Sequence, residues 1–395
     1  MKICIISREY PPQNLIGGIG TYSYTAAQLL ARKGHQITVI TNDTLTSIQK
    51  EDDITVHRIT MLPHALPPSP LFFQFRKWFR HNLPTYLDAR TWSQTAAAYL
   101  TTILAQQTFD VIEYPETMGE GAFLKVKSKQ TRLICRIHSS SVNHLIPHML
   151  ERFFIKKLQQ KSCFLATKVV SPSQFVIDFY ALSYLKLKNV YLSRNPICLW
   201  KKAIQWESKA TTHLLYVGRI EHRKGLMTLL KAFKQLKNNN NPYKLRIIGS
   251  FPPPLSSMDK ETQDLVKNDL IHNKENIEYY KQQPHQSMAQ HYDWAGIFIL
   301  PSLMENYPYV LLEALSRGAY TLGCDIGGIP EIINTSQRGL LFPKEDDKEL
   351  AQLIRSCNQK ESEIIQHAHS NVNEFKSHYT DEKNTLSIEK SYTIT

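Results

Sequence analysis

The sequence predicts an α/β protein made of two Rossmann-like, doubly wound domains. Three observations carry this. Strand-like and helix-like segments alternate along the 395 residues, as in parallel sheets joined by crossover helices. In each half an apolar strand runs into a basic or glycine-bearing turn and then a helix: KICIIS before Gly17-Gly18-Ile19-Gly20, and THLLYVG before RIEHRKG. The apolar run AGIFIL at 295–300 suits a parallel strand buried on both faces.

In order, the first half holds candidate strands at 2–7, 36–41, 54–59, 109–114, 132–138, 168–171 and 189–193. The second half holds them at 213–217, 244–248, 276–279, 296–300, 319–323 and 339–342, with helices between. The length suits two domains, and no repeat of solenoid length is visible. The segment RNPI at 194–197, followed by a polar stretch to 210, marks the boundary, giving domains 1–195 and 196–376. Two irregular loops stand out: 61–70 with four prolines and 250–255 with three in a row.

An apolar content of 42% with 21% charged residues fits a globular chain and not a disordered one. No run of eighteen apolar residues spans a membrane. KICIIS is too short for a signal peptide and leads into a strand. Six cysteines (Cys4, Cys135, Cys163, Cys198, Cys324, Cys357) form no C-x-x-C pair, which favours reduced thiols in a cytoplasmic protein. The formal charge of +12 favours anionic partners. No nucleic-acid motif accompanies it, so nucleic acid is not expected. The segments 71–80 (LFFQFRKWFR) and 149–161 (MLERFFIKKLQQK) mix aromatic and basic residues. They read either as core-packing helices with solvated basic faces or as peripheral contacts with an anionic membrane.

Two segments carry the chemistry. PSLMENYPYVLLEAL places Glu305 before, and Glu313 inside, a short helix that follows the buried strand. Two carboxylates at the carboxyl end of a strand suit a hydroxyl-rich ligand; on spacing alone, a helix-capping and a solvated glutamate fit equally. In YVGRIEHRKGLMTLLKAF, Arg219 follows a strand and Lys224 opens a helix with apolar positions at Leu226, Leu229, Leu230 and Phe233. Two cations near a helix N-terminus make an anion site; alone they also read as exposed basic residues.

Together, G-R-x4-K-G, then E-x7-E, then G-G-x-P-E-I-I resemble the donor site of family-four glycosyltransferases, a retaining group with the GT-B fold of two Rossmann-like domains facing a cleft. The resemblance covers nearly the whole chain and includes the opening strand, glycine loop and helix. It implies that Arg219 and Lys224 hold a diphosphate, Glu313 binds ribose hydroxyls and Glu305 the donor sugar. It also implies that the loop Asn306, Tyr307, Tyr309 and Val310 offers backbone amides. Pro308 departs from the glycine common there and has no amide to donate. By the same resemblance Gly18 would border the diphosphate and His138 would stand at the cleft mouth; Gly327 and Gly328 read either as sites of close backbone approach or as an ordinary turn before a helix. The catalytic set is then His138, Arg219, Lys224 and Glu305. A helix about 377–395 is expected to cross back to the first domain.

The implied reaction moves a hexose-type sugar from a nucleotide-diphosphate sugar, UDP-linked before GDP-linked, to a hydroxyl on a glycan, glycolipid or small molecule. Charge growing on the leaving phosphate needs stabilising. No D-x-D stands at a strand end; Asp346 and Asp347 read as first-turn helix acids. Fixed cations replace a metal, and no cofactor is required. A dinucleotide site is not expected, because Ser23 replaces the third glycine and only Asp43 follows the second strand. Glu113 and Glu116 are the cleft-side carboxylates of the first domain, although a front-side mechanism fits better than a covalent one. A 2-epimerase of the same fold and an inactive sugar-nucleotide-binding protein are the alternatives.

Overall fold

The computed structural model describes residues 1–12, 17–61, 83–138, 149–183, 187, 190–236, 242–251 and 276–393. The predicted segment 71–80 and most of both proline-rich loops lie outside these residues. The chain divides into two compact units: Met1–Pro196 with Asp381–Thr395, and Ile197–Thr380.

The first unit is built on eight strands: β1 (Lys2–Ile6), β2 (Gln36–Asn42), β3 (Ser47–Glu51), β4 (Ile54–Ile59), β5 (Val111–Pro115), β6 (Arg132–Arg136), β7 (Lys168–Ser171) and β8 (Val190–Leu192). Their order is β3-β4-β2-β1-β5-β6-β7-β8. Every pairing is parallel except β3 with β4. Strand β3 (SIQKE) was not expected. Nearly all of it is exposed, so it lacks the apolar alternation that announces a strand, and its charged residues guard a sheet edge. The helices are α1 (Gly18–Arg32), α2 (Pro84–Leu104), α3 (Met149–Leu165) and α4 (Gln174–Ser183). Pro84 opens α2, where a missing amide costs nothing. Cys4, Ile6, Ile112 and Tyr114 from the sheet pack with Trp92, Ala96 and Leu100 of α2.

The second unit holds β9 (Ala210–Val217), β10 (Lys244–Ile248), β11 (Ile277–Tyr280), β12 (Ala295–Leu300), β13 (Tyr320–Cys324) and β14 (Gly339–Phe342). The order β11-β10-β9-β12-β13-β14 is parallel throughout. Its helices are α5 (Leu226–Gln235), α6 (His285–Trp294), α7 (Tyr309–Ser316), α8 (Ile329–Ile332), α9 (Asp347–Gln359) and α10 (Glu361–His378). AGIFIL is fully buried, as its composition requires. Leu226, Leu229, Leu230 and Phe233 of α5 close over β9 and β10.

A last helix, α11 (Asp381–Tyr392), packs on the first unit. Glu389 lies 2.7 Å from His35, and Arg132 donates to the Tyr392 carbonyl at 3.0 Å. None of the six cysteines forms a disulfide, and five of them are buried. Among the described residues no helix is long and apolar enough to cross a membrane.

Candidate active site

In the second sheet the strand order reverses between β9 and β12, because β10 and β11 extend one way and β13 and β14 the other. Such a reversal leaves a crevice at the carboxyl ends of the two central strands. The turn after β9 carries Arg219 and Lys224; the loop after β12 carries Glu305. Two glycines clamp this loop. Gly225 has φ 67°, and a side chain there would put Cβ 1.8 Å from the Pro301 carbonyl oxygen. Gly327 has φ 59°, and its Cβ would fall 1.8 Å from the Glu305 carbonyl oxygen. Leu303 donates to the Arg223 carbonyl at 2.8 Å and Gly328 to the Glu305 carbonyl at 3.2 Å.

Lys224 does not open the helix, contrary to expectation. It ends a 3-10 turn (His222–Lys224), and α5 starts at Leu226. Gly225, in the left-handed region, interrupts the helical path between them. From this turn the Lys224 ammonium reaches Glu305 Oε1 at 2.5 Å, and the Ser302 hydroxyl donates to the same oxygen at 2.9 Å. Arg219 sits 3.3 Å from Glu221, which also holds Arg223 at 2.7 Å. Buried Tyr216 donates to the Arg219 carbonyl at 3.1 Å. Burial pushes its phenol pKa up, with Glu221 and Glu305 adding to the effect and Arg223 and Arg219 opposing it.

Glu313, on α7, is buried and not solvated. Its Oε2 accepts from the Tyr292 hydroxyl at 2.6 Å, and Oε1 lies 3.7 Å from His285 Nε2. Burial raises its pKa, while His285 and the Tyr292 hydrogen bond pull it back. Tyr309 and Val310 are the first two residues of α7, whose leading amides have no partner within the helix. Pro308 is the N-cap. Tyr307 is buried, its hydroxyl 2.7 Å from that of Tyr379, and Asn306 is half-buried.

Gly18 and His138 belong to the first unit. Gly18 is the first residue of α1. The His138 amide donates to Glu116 Oε2 at 2.7 Å, and its ring lies 5.1 Å from that of Tyr22. Burial, then the nearby Arg136 charge, pushes the imidazole pKa down to about 3. The carboxylates Glu113 and Glu116 are not open reactive groups. Both are buried; Glu113 pairs with buried Arg136 at 3.1 Å, and Glu116 also accepts from Tyr180 at 3.1 Å. Asp346 caps α9 by accepting from the Glu349 amide at 2.9 Å. Among the described residues no three His, Cys, Asp or Glu side chains gather as metal ligands.

The structure thus brings Lys224 and Glu305 into contact, sets Arg219 on the same turn, and gives Glu313 its own network with Tyr292 and His285. Ser302, Glu221, Tyr292 and His285 escaped sequence reasoning. Ser302 follows a strand-ending proline, a weak signal; Tyr292 reaches Glu313 from another helix, which no local pattern announces.

Comparison with known proteins agrees across both units. The family model for glycosyl transferases group 1 matches residues 201–371. That for glycosyltransferase family 4 matches residues 16–185. An uncharacterised glycosyltransferase of Methanocaldococcus jannaschii is 24% identical over 377 residues, covering 88% of this chain and 86% of that protein. Among solved structures, sucrose-phosphate synthase from Thermosynechococcus elongatus superposes with a TM-score of 0.75 at 18% identity, covering 99% of this chain and 98% of that one. Alr3699/HepE of Anabaena, solved in complex with UDP, gives 0.69 at 14% identity, covering 99% of both chains.

Proposed function

The chain belongs to the group 1 glycosyltransferases of the GT-B fold, and from that premise we propose that it moves a hexose-type sugar from a nucleotide-diphosphate sugar to a hydroxyl acceptor with retention of configuration. The observation that carries this is the Lys224–Glu305 contact at 2.5 Å, inside a loop clamped by Gly225 and Gly327 at the strand-order reversal. A cation and an acid held together there match the two ends of the bond to be broken. Lys224 and Arg219 offset the charge growing on the diphosphate, the largely enclosed Lys224 more strongly than the half-exposed Arg219. Glu305 accepts from hydroxyls of the transferred sugar, and Glu313 from those of the ribose. Tyr309 and Val310 present the leading amides of α7 to the phosphate and sugar oxygens.

His138, neutral at working pH, contributes its carbonyl or ring to placing the sugar. Glu113 and Glu116 are committed to Arg136, Tyr180 and the His138 amide, which favours a front-side over a covalent route. The cations take the place of a metal. UDP is the first nucleotide to test, since a protein of the same fold binds it, and GDP the second.

The acceptor belongs to glycan or glycolipid synthesis, on the cytoplasmic side of a membrane. Helix α3 supports peripheral docking to anionic lipid: Met149, Leu150 and Phe153 are exposed beside Lys157 and Lys161. A thermal-shift screen with UDP- and GDP-sugars, followed by product analysis, tests the reading. No stabilisation and no turnover with any donor rejects it, and C2 epimerisation of the donor replaces it.

A further inference from the structure

The proposed donor site leaves one half-exposed group beside Glu313 without a role. His285 opens α6 with 49% of its side chain exposed, and its Nε2 lies 3.7 Å from Glu313 Oε1. Tyr292, seven residues on and therefore on the same helix face, holds the other oxygen at 2.6 Å. One helix thus addresses both oxygens of one carboxylate.

The indole of Trp200 stacks on the His285 imidazole, with centroids 4.6 Å apart and planes at 14°. Its Nε1 also donates to the His285 carbonyl at 3.2 Å. The segment bearing Trp200 is pinned from below. Buried Arg317 donates to the carbonyls of Lys202 at 2.6 Å and Ala203 at 3.0 Å. The same guanidinium binds Asp293 of α6 at 2.8 and 2.6 Å. Lys209 closes the far end of α6, donating to the carbonyls of Tyr292 and Ala295, each at 2.9 Å. A half-exposed imidazole, stacked on one face and aimed by its edge at a buried carboxylate, therefore stands on a fully braced scaffold. Ordering an exposed side chain this firmly costs conformational entropy, and the fold gains little burial from it.

We propose that His285, backed by Trp200, is a further donor-positioning residue that packs against the nucleoside of the donor and orients the Glu313 carboxylate toward the ribose hydroxyls. This rests on reading Glu313 as the ribose acceptor. The role is confined to the nucleoside: His285 contributes to neither diphosphate nor transferred-sugar binding.

Calorimetric titration of UDP, GDP and inorganic pyrophosphate into wild type, His285→Ala, His285→Phe and Glu313→Ala tests it, alongside kcat and KM for the UDP- or GDP-sugar that turns over. Loss of a stacked contact predicts about 3- to 10-fold weaker nucleoside diphosphate binding in His285→Ala. KM rises by the same factor with kcat unchanged, and pyrophosphate binding stays unaltered. His285→Phe, which keeps the stack and loses Nε2, falls between. If His285→Ala binds nucleotides as wild type does while Glu313→Ala fails to, the role of His285 is refuted and that of Glu313 stands. Equal weakening toward pyrophosphate, or a lower Tm without an affinity change, also refutes it by showing a merely structural part. Unchanged binding in Glu313→Ala, or no nucleotide binding by wild type, refutes the underlying donor reading instead.

Discussion

The Lys224 ammonium rests 2.5 Å from the Glu305 carboxylate across 81 residues of sequence. Both side chains are largely enclosed, at 17% and 10% exposure. Neither glycine of the clamp tolerates a Cβ, so the contact is fixed by backbone and not by the reach of a flexible lysine. On the proposed donor reading this pair is a neutralised resting state: a diphosphate would bring the charge that Lys224 binds, and sugar hydroxyls the donors that Glu305 accepts.

Lys224→Ala should therefore lower kcat/KM for the donor by about 100-fold or more, the scale seen when one fixed group facing developing charge is removed. It also leaves Glu305 without its cation in an enclosed place, so Tm should drop. Lys224→Arg should recover part of the activity. Steady-state kinetics with the functional donor decide this, and turnover near wild type in Lys224→Ala would remove the cation from the mechanism. EDTA should change nothing in the same assay; a strict requirement for added metal would contradict stabilisation of the leaving group by protein cations.

Glu313 predicts a pH effect. Burial raises its pKa, so the acid protonates at a higher pH than an ordinary carboxylate. If Glu313 accepts from ribose hydroxyls as proposed, protonation removes that acceptor, and donor KM should climb as pH falls through that raised value. The Tyr292 hydrogen bond opposes the shift. Tyr292→Phe should move the inflection to still higher pH and raise KM about 10- to 100-fold, the scale of one hydrogen bond to a charged group. An inflection that stays in place would mean Glu313 does not titrate in donor binding.

Gly327→Ala separates positioning from stability. The new Cβ meets the Glu305 carbonyl oxygen at 1.8 Å, and φ 59° already disfavours it. Strain of roughly 1–3 kcal/mol is expected, seen as a lower Tm. Because the displaced atom belongs to Glu305 itself, activity should fall further than folding does. Gly34→Ala, also at positive φ but with open space around it, is the control: some stability lost, none of the activity at permissive temperature.

Much of this was legible in the sequence, for reasons that differ by element. AGIFIL announced β12 because a strand buried on both faces must be continuously apolar. The fall of Lys224, Glu305 and Gly327 near one loop followed from the parallel order, which gathers loops from distant sequence at one sheet edge. Strand β3 stayed hidden because its side chains are nearly all solvated and its pairing with β4 is set by the turn between them. Lys224 was placed in the helix because periodicity registers apolar spacing and not the left-handed Gly225 that delays the helix. Tyr292 and His285 were invisible for a tertiary reason: their contacts with Glu313 join α6 to α7 across β12, and no local pattern records them.

Helix α3 predicts a salt-dependent membrane contact. Met149, Leu150 and Phe153 are exposed, and the Lys157 ammonium sits 5.5 Å over the Phe153 ring. Each basic residue near an anionic surface contributes about 1 kcal/mol. Wild type should float with anionic vesicles at low salt and stay behind with neutral ones. Reversing Lys157 and Lys161 to Glu should reduce flotation about tenfold or more, with activity on a soluble acceptor unaffected. Equal recovery with both vesicle types, or none with either, rejects docking through this face.

Glu120 makes stability depend on pH in a direction opposite to most carboxylates. It is buried at the turn after β5, accepts from the Met118 amide at 3.0 Å, and has its pKa pushed up from 4.5 to about 8. Burial is the main cause; Glu116 adds to it, while backbone hydrogen bonds and Arg8 oppose it. A group whose folded pKa exceeds its unfolded one binds more protons when folded, so its stabilising contribution is complete below the unfolded value and is lost as pH rises through the folded one. The slope is at most about 1.4 kcal/mol per pH unit for a single group. Glu120→Gln keeps the size and the carbonyl acceptor without the proton. Between pH 5 and 9 the wild type should lose stability relative to Glu120→Gln, read as a widening Tm gap in urea- or heat-denaturation series. A gap that is constant across the range would show that Glu120 carries the same charge folded and unfolded, and the protonated acid would have to be abandoned.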